Sequence, residues 1–377
     1  DEGDGLSQVN PDDVESITIL KGANASILYG SQGANGVVVI TTKSGEEGDT
    51  KITFNSGITF ESVIALPELQ YDYGRAAGED ESWSPTKNAS AANGEFVDDF
   101  FQTGVNYVNS VSVSGGNKTT TAYFSYYNAT SGGIMDNFGY KKNNLSFKQS
   151  TKFFNDKMTL SSNIILTEEQ TDNRGPSGYY LNPLIGLYTF PRDGSWSSMK
   201  TYQIFNAATN VMDQNWVGNN HFQSNPYWLM NNQPKEDKVQ RAIGSVNLAY
   251  QISEKLSLKA RASYDFANKS YEQQHAAGSN QTNTGSNGRW DYKKFNDELF
   301  YSDAILSFND NYGDFSVNAI AGASLQQTTF GSGVNVTTGS DGELFYANEF
   351  NFQNIPANIQ VQSTLGSQIE KQAVFGN

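Results

Sequence analysis

Residues 256–266 read Leu256-Ser257-Leu258-Lys259-Ala260-Arg261-Ala262-Ser263-Tyr264-Asp265-Phe266. Even-numbered positions are apolar or aromatic and odd-numbered ones polar or charged. Successive side chains of an extended strand point to opposite faces, so this stretch has one apolar and one polar face. Leu256, Leu258 and Phe266 then lie on the face turned to lipid, with Lys259, Arg261 and Asp265 on the other. The run is as long as the ~9–11 residues that a tilted strand needs to cross a bilayer, and longer than the ~5–6 of a typical globular strand. The same alternation marks Ile52, Phe54, Ile58 and Phe60, then Met158, Leu160, Ile164 and Leu166, then Phe315, Val317, Ala319, Ala321, Ala323 and Leu325. Fainter versions near 105–114, 119–128, 140–150, 239–252 and 299–309 bring the candidate strands to nine. Ala373-Val374-Phe375-Gly376-Asn377 reads as the start of another.

The connections alternate between two kinds. Tight joins fall at Gly115–Lys118, Phe153–Asp156, Ser253–Glu254 and Asp310–Gly313, and long polar loops at about 61–104, 129–139, 167–238, 267–298 and 326–370. Outer-membrane barrels have short turns at the periplasmic end and long loops at the extracellular end. A soluble sandwich or solenoid has no reason to sort its loops this way. The expected fold is an all-β transmembrane barrel. Nine strands do not close one, since bacterial single-chain barrels have an even count, so the chain reads as a piece of a longer protein.

Composition narrows the function classes. There is no Cys among 377 residues, which removes disulfides, Cys-ligated zinc and a Cys nucleophile. No stretch approaches the ~18 apolar residues of a membrane helix. With 25 basic and 40 acidic residues the formal charge is −15, which argues against nucleic acid as a partner. A nucleophile elbow, a His-Glu-x-x-His pair and a P-loop are all absent, so neither enzymatic activity nor a cofactor is expected. His221 and His275 fall in separate long loops with no carboxylates at metal spacing, so no metal is assigned. Gly78-Glu79-Asp80-Glu81 reads as a solvated loop and lacks the alternating oxygen ligands of a calcium loop.

Residues 1–45 differ in kind. Val14–Leu20 reads as a short strand and Ala23–Tyr29 as one or two helical turns. Gly30–Gly36 is a glycine-punctuated turn, and Val37–Thr42 is a β-branched run of the sort buried on both faces. Such a compact β-α-β unit ahead of a barrel suits the barrel interior.

Here the sequence resembles a known family. Asn10-Pro11-Asp12-Asp13-Val14-Glu15-Ser16-Ile17, Leu20-Lys21-Gly22-Ala23, Tyr29-Gly30-Ser31-Gln32-Gly33-Ala34-Asn35-Gly36-Val37 and Ile40-Thr41-Thr42-Lys43-Ser44-Gly45 resemble the end of the plug domain of TonB-dependent outer-membrane receptors. The Asn-Pro-Asp-Asp opening and the Ala-Asn-Gly-Val and Ile-Thr-Thr-Lys elements resemble the SusC/RagA branch found in Bacteroidota. So do Phe100–Gly104, Ser112–Gly116 and Asn225-Pro226-Tyr227-Trp228. The resemblance implies a division into 1–45, the C-terminal part of an α+β plug, and 46–377, the first portion of a barrel of roughly 22 strands. It implies an outer-membrane protein that imports an oligosaccharide or a peptide, with a SusD-like surface lipoprotein as cap and TonB acting through a region outside this chain.

Each residue of that signature has a plain role as well. Gly30, Gly33 and Gly36 supply turn geometry, or let part of the plug move. Glu15 and Lys21 are candidates for an ion pair within the plug, Asn35 for hydrogen bonds within its turn. Asn10, Pro11, Asp13, Tyr29, Thr41 and Thr42 complete the set. All five Trp lie outside the strand centres. They pack within loops, form an interfacial belt, or stack on a ligand. Trp196, Trp216 and Trp228, in the longest loop, are the candidates for ligand or partner contact. Two other readings remain: a surface barrel whose loops only adhere to partners, and a secreted enzyme or glycan-binding soluble β-protein.

Overall fold

The computed structural model describes residues 9–22, 33–87, 95–175, 178–217, 223–280, 284–338, 344–357, 359 and 361–377. All nine expected strands are present: β3 (Gly48–Glu61), β4 (Gly104–Gly116), β5 (Thr120–Gly132), β6 (Gly139–Phe153), β7 (Met158–Asp172), β10 (Lys235–Gln251), β11 (Leu256–His275), β12 (Arg289–Tyr312) and β13 (Phe315–Thr337). They form one antiparallel meander in that order, with β14 (Gln362–Thr364) and β15 (Ser367–Gly376) both pairing with β13. Among the described residues the sheet does not close on itself. Two hairpins stand apart, β1 (Val14–Leu20) with β2 (Val37–Thr42), and β8 (Gln203–Asn206) with β9 (Val211–Gln214).

The wall is taller than the alternation foretells. Residues 129–139, expected as a long loop, are strand at both ends, leaving a turn at 133–138. The expected loop at 267–298 shrinks to 276–288, and β13 runs on to Thr337. Ladder hydrogen bonds join backbones and need no apolar side chain. Apolar and polar residues alternate only where one face meets lipid, so the sequence signal fades while the strand continues. At 24 residues, β12 is more than twice the length that a bilayer requires.

Register turns the alternation into layers. Phe54, Val111, Tyr126, Leu145, Leu166, Ala242 and Phe266 are successive cross-strand partners in one outward row. Two residues toward the long-loop end, the row reads Ser56, Asn109, Asn128, Asn143, Glu168, Gln240, Asn268 and Asn296. Toward the short turns, Phe153, Met158, Tyr250, Leu258 and Leu306 form the lower row. Between these limits the outward series of β7, β10 and β11 carries no charge. Exposed Phe154, Tyr312 and Phe315 crowd the short-turn end. Aromatic side chains favour both edges of the hydrocarbon layer. Here Phe and Tyr supply these girdles, and the Trp residues do not. The opposite face is polar and ion-paired. Arg241 bonds Asp265 at 2.6 and 2.8 Å, Lys269 meets Asp297 at 2.8 Å, and Arg261 bonds Asp303 directly across from it.

The expected doubly buried strand is corrected. Among the described residues β2 pairs only with β1, and Ile17, Ile19 and Val38 of the hairpin are exposed, because none of the described residues packs on that face.

Val246 sits in the middle outward row, between Ser162 and Ala262, whereas Leu258 belongs to the lower row. Val246→Arg should therefore cost ~2–4 kcal/mol and Leu258→Arg only ~0–1 kcal/mol. Reversible denaturation of the full-length protein in lipid vesicles measures both, and equal costs would contradict the assigned layers.

Candidate functional site

Asn10-Pro11-Asp12-Asp13 builds a compact anchor. The Asn10 side chain accepts from the Asp12 amide at 3.0 Å, and Pro11 occupies the first position of a short 3₁₀ turn (Pro11–Asp13). That turn aims two carboxylates at the inner wall. Asp13, 3 % exposed, accepts hydrogen bonds from the Tyr123 hydroxyl at 2.7 Å and the Ser125 hydroxyl at 2.5 Å, both on β5. Asp12 accepts one from Ser110 of β4. Lys148 of β6 donates to the Thr42 carbonyl at 2.7 Å and to the Thr42 hydroxyl. Lys142 of the same strand reaches the Val9 carbonyl at 3.4 Å. Lys43 closes the anchor on itself: its amide donates to the Asp13 carbonyl and its ammonium to the Asp12 carbonyl, each at 2.7 Å. At Gly45 a β-carbon would lie 2.4 Å from the Ala122 backbone nitrogen, so only glycine lets the chain pass this close to β5.

Of the expected signature, Asn10, Pro11, Asp13 and Thr42 meet in this contact. Gly33 and Gly36 close a turn, the Gly36 amide donating to the Gly33 carbonyl at 2.9 Å with Gly36 at φ +100°. Thr41 pairs with Ser16 within the hairpin. Glu15 and Lys21 are exposed and form no ion pair with each other. Asn35 is exposed, with no side-chain bond to its turn. Tyr29 and Gly30 lie outside the described residues. The wall partners Ser110, Tyr123, Ser125, Lys142 and Lys148 were not foreseen. Their signal is parity, since all fall on the polar face of strands whose other face is apolar.

At the long-loop end, the first and longest loops fold together. Phe96, Val97, Phe100, Leu187, Phe190, Met199 and Met230 form a buried cluster. They come from α1 (Glu95–Asp98), α2 (Pro183–Thr189), α3 (Trp196–Met199), α4 (Pro226–Asn232) and the flanking turns. Asn182-Pro183 and Asn225-Pro226 start α2 and α4 alike, with Asn as cap and Pro in the first turn. Asn225 also donates to the carbonyls of Met199 at 2.9 Å and Asn215 at 2.8 Å. Gly186 admits the Ser224 carbonyl where any β-carbon would collide, at 2.1 Å. Buried Arg192 stitches the two loops through the Gln70 carbonyl at 2.9 Å, and Arg75 forms a fork with Asp193.

Against this geometry stand the comparisons. Residues 1–37 match the family model described as TonB-dependent Receptor Plug Domain. Over 162 residues the chain is 30 % identical to the TonB-dependent receptor SusC of Bacteroides thetaiotaomicron, covering 42 % of this chain and 16 % of that one. The chain is similar to the SusC/RagA-type TonB-dependent receptors, in sequence at its plug end and in fold along its length. The TonB-dependent receptor P3 of Formosa agariphila is 24 % identical over 99 % of this chain and 36 % of its own length. In fold, the structure of the RagAB peptide transporter aligns with a TM-score of 0.67 at 15 % identity, over 98 % of this chain and 44 % of that chain. The chain thus spans less than half the length of each. It is accordingly an outer-membrane β-barrel protein, and the segment docked on its inner wall begins within the residues that match the plug model.

Within the receptor, Trp196 and Trp216 pack on Phe190, at ring-centroid distances of 5.0 and 6.3 Å. Trp228 is 1 % exposed and gives its indole N–H to Ser279 at 2.8 Å. All three therefore hold the loop block together, and Trp228 presents no face to solvent. Trp83 is exposed, while Trp290 is covered by Phe352. Among the described residues no three His, Asp or Glu side chains converge as metal ligands; His221 lies outside them.

Two outcomes follow from these contacts. Asp13→Ala strips two hydroxyls of a charged acceptor, at roughly 2–4 kcal/mol. In the full-length receptor, hydrogen exchange should quicken in β1 and β2 and stay unchanged in β10–β12. The second concerns acid. Burial pushes the Asp193 carboxyl up, but the Arg75 hydrogen bonds outweigh it and hold the carboxyl below its usual 3.8. A depressed carboxyl stabilises above the unfolded value, and that contribution fades as pH falls through the folded one. Proteolytic cleavage in 62–103 should accelerate below about pH 4 in the native chain, and Asp193→Asn should lose most of that pH dependence.

Proposed function

We propose that this receptor takes part in active import of an oligosaccharide or a peptide across the outer membrane, energised through TonB and capped by a SusD-like lipoprotein. The observation that carries the reading is the chemistry of the plug–wall contact. It consists of hydrogen bonds from Ser110, Tyr123, Ser125, Lys142 and Lys148 to the anchor. Each such bond is worth only ~0.5–3 kcal/mol net, because water can replace the partner. A pull on the plug can part them one at a time, which an interlocked apolar interface would resist. An adhesive barrel has no use for a separable segment inside its wall. The wall height adds support: β11, β12 and β13 rise well above the outward polar row and frame a vestibule, suited to substrates too large for passive pores. Peptide import is named for the RagAB complex, whose fold this chain shares, and the SusC kinship supports a lipoprotein cap.

Uptake by cells carrying the complete protein is the test. Loss of TonB should abolish accumulation of a labelled oligosaccharide or peptide mixture while surface binding persists. Undiminished uptake without TonB would overturn import. Binding without any uptake in wild-type cells would favour the adhesive reading.

A further inference from the structure

A cavity of about 230 Å³ opens at the long-loop end, between α4 and the tops of β10–β12. Three basic side chains line it, Arg174, Lys235 and Arg289, and among the described residues no carboxylate does. This is a concentration of one sign in a chain with only 25 Lys and Arg against 40 acids. Asp291 is not among the lining residues and is ion-paired with Arg289, at 2.9 Å to Nη2. Lys235 lies over the Tyr271 ring, which holds its ammonium in place without neutralising it. His275 adds a second, independent sign. It is 2 % exposed and lines the cavity, its Nε2 is 3.8 Å from Asp291, and its Nδ1 has no hydrogen-bond partner. Nε of Arg289 is likewise buried and unpartnered. Buried polar atoms are nearly always paired, so two orphans beside one cationic cavity mark a place built for a group that is not part of the chain. Phe138 and Tyr180 supply apolar walls.

We propose that this cavity seats a carboxylate carried by the imported molecule, with Arg174 and Lys235 as its counter-charges and Arg289 Nε and His275 as directional partners. The inference rests on the import reading for its source of ligand. It narrows that reading to acidic substrates, either a free peptide C-terminus or an acidic sugar. The planar forks of Arg174 and Arg289 match carboxylate geometry, and an apolar side chain or sugar face next to the carboxylate fits the Phe138 and Tyr180 walls.

Calorimetry on the purified full-length receptor tests it without TonB, so a failure of transport and a failure of this site are told apart. The probes are trialanine against trialanine amide, and a glucuronic-acid disaccharide against its neutral carboxyl-reduced form. At least one acid should bind tenfold or more tighter than its neutral twin, and which pair shows the difference identifies the source. Arg174 is exposed and has no ion-pair partner among the described residues, so Arg174→Gln should fold normally. It should erase most of that tenfold preference and leave affinity for the neutral twin unchanged. Lys235→Gln should act in the same direction. Equal affinity for acid and neutral forms, including no measurable binding of either, overturns the proposal. So does an acid preference that survives both substitutions.

Discussion

Everything in this structure follows from the need to pair backbone N–H and C=O groups where lipid offers no partner. A strand crossing hydrocarbon must be bonded on both sides. The continuous antiparallel ladder from β3 to β13 is that requirement met over nine neighbours. Once the ladder exists, side-chain parity is forced. Every residue points either to lipid or to the lumen, and each surface takes the chemistry its medium demands. The outward rows are then selected for apolar contact and the inward rows for solvation, with no further instruction from tertiary packing.

Inward polarity has its own consequence. A lumen lined by Ser, Asn, Tyr and paired ions cannot hold a plug by hydrophobic burial. It can hold one only by hydrogen bonds and charge. Asp12, Asp13 and Thr42 are the complementary set, and their partners stand on the polar parity of β4, β5 and β6. The plug is therefore attached by the class of interaction that water best replaces. The loop block differs: Phe96, Phe190 and Trp196 interlock there, with ring centroids 5.0–5.6 Å apart. Resistance to separation is high at the outer mouth and low at the plug, the order that the proposed import requires.

How much of this was legible in sequence depends on whether one face met lipid. At Leu256–Phe266 it did, and the strand could be read residue by residue. At 267–275 and 289–298 both faces are polar, the alternation vanishes, and the upper ladder was missed. The plug anchor was legible as a motif, but its partners were not. Tyr123 and Lys148 look like any lumenal residues until the register sets them directly opposite each other. The Trp residues were ambiguous in sequence for a related reason. A loop rich in aromatics suggests ligand contact, yet a large loop above a membrane must first bury its own backbone. Asn225-Pro226-Tyr227-Trp228 does that, by capping α4, tying down α3 and burying the Trp228 ring.

The rigidity of that block bears on recognition. Asn225 and Gly186 fix α4 against α2, and α4 carries Leu229 and Met230 to the cavity wall. Lys235 follows at the root of β10, only three residues beyond α4, while Arg289 begins β12. Lys235 and Arg289 are thus mounted on strand ends that the ladder holds, and the apolar wall on a capped helix. A charged group entering such a site meets partners already in place, so little ordering entropy opposes its binding. On the proposed import reading, selectivity at the mouth is set by this fixed geometry, and motion is left to the plug, whose hydrogen bonds to the wall can be exchanged for water.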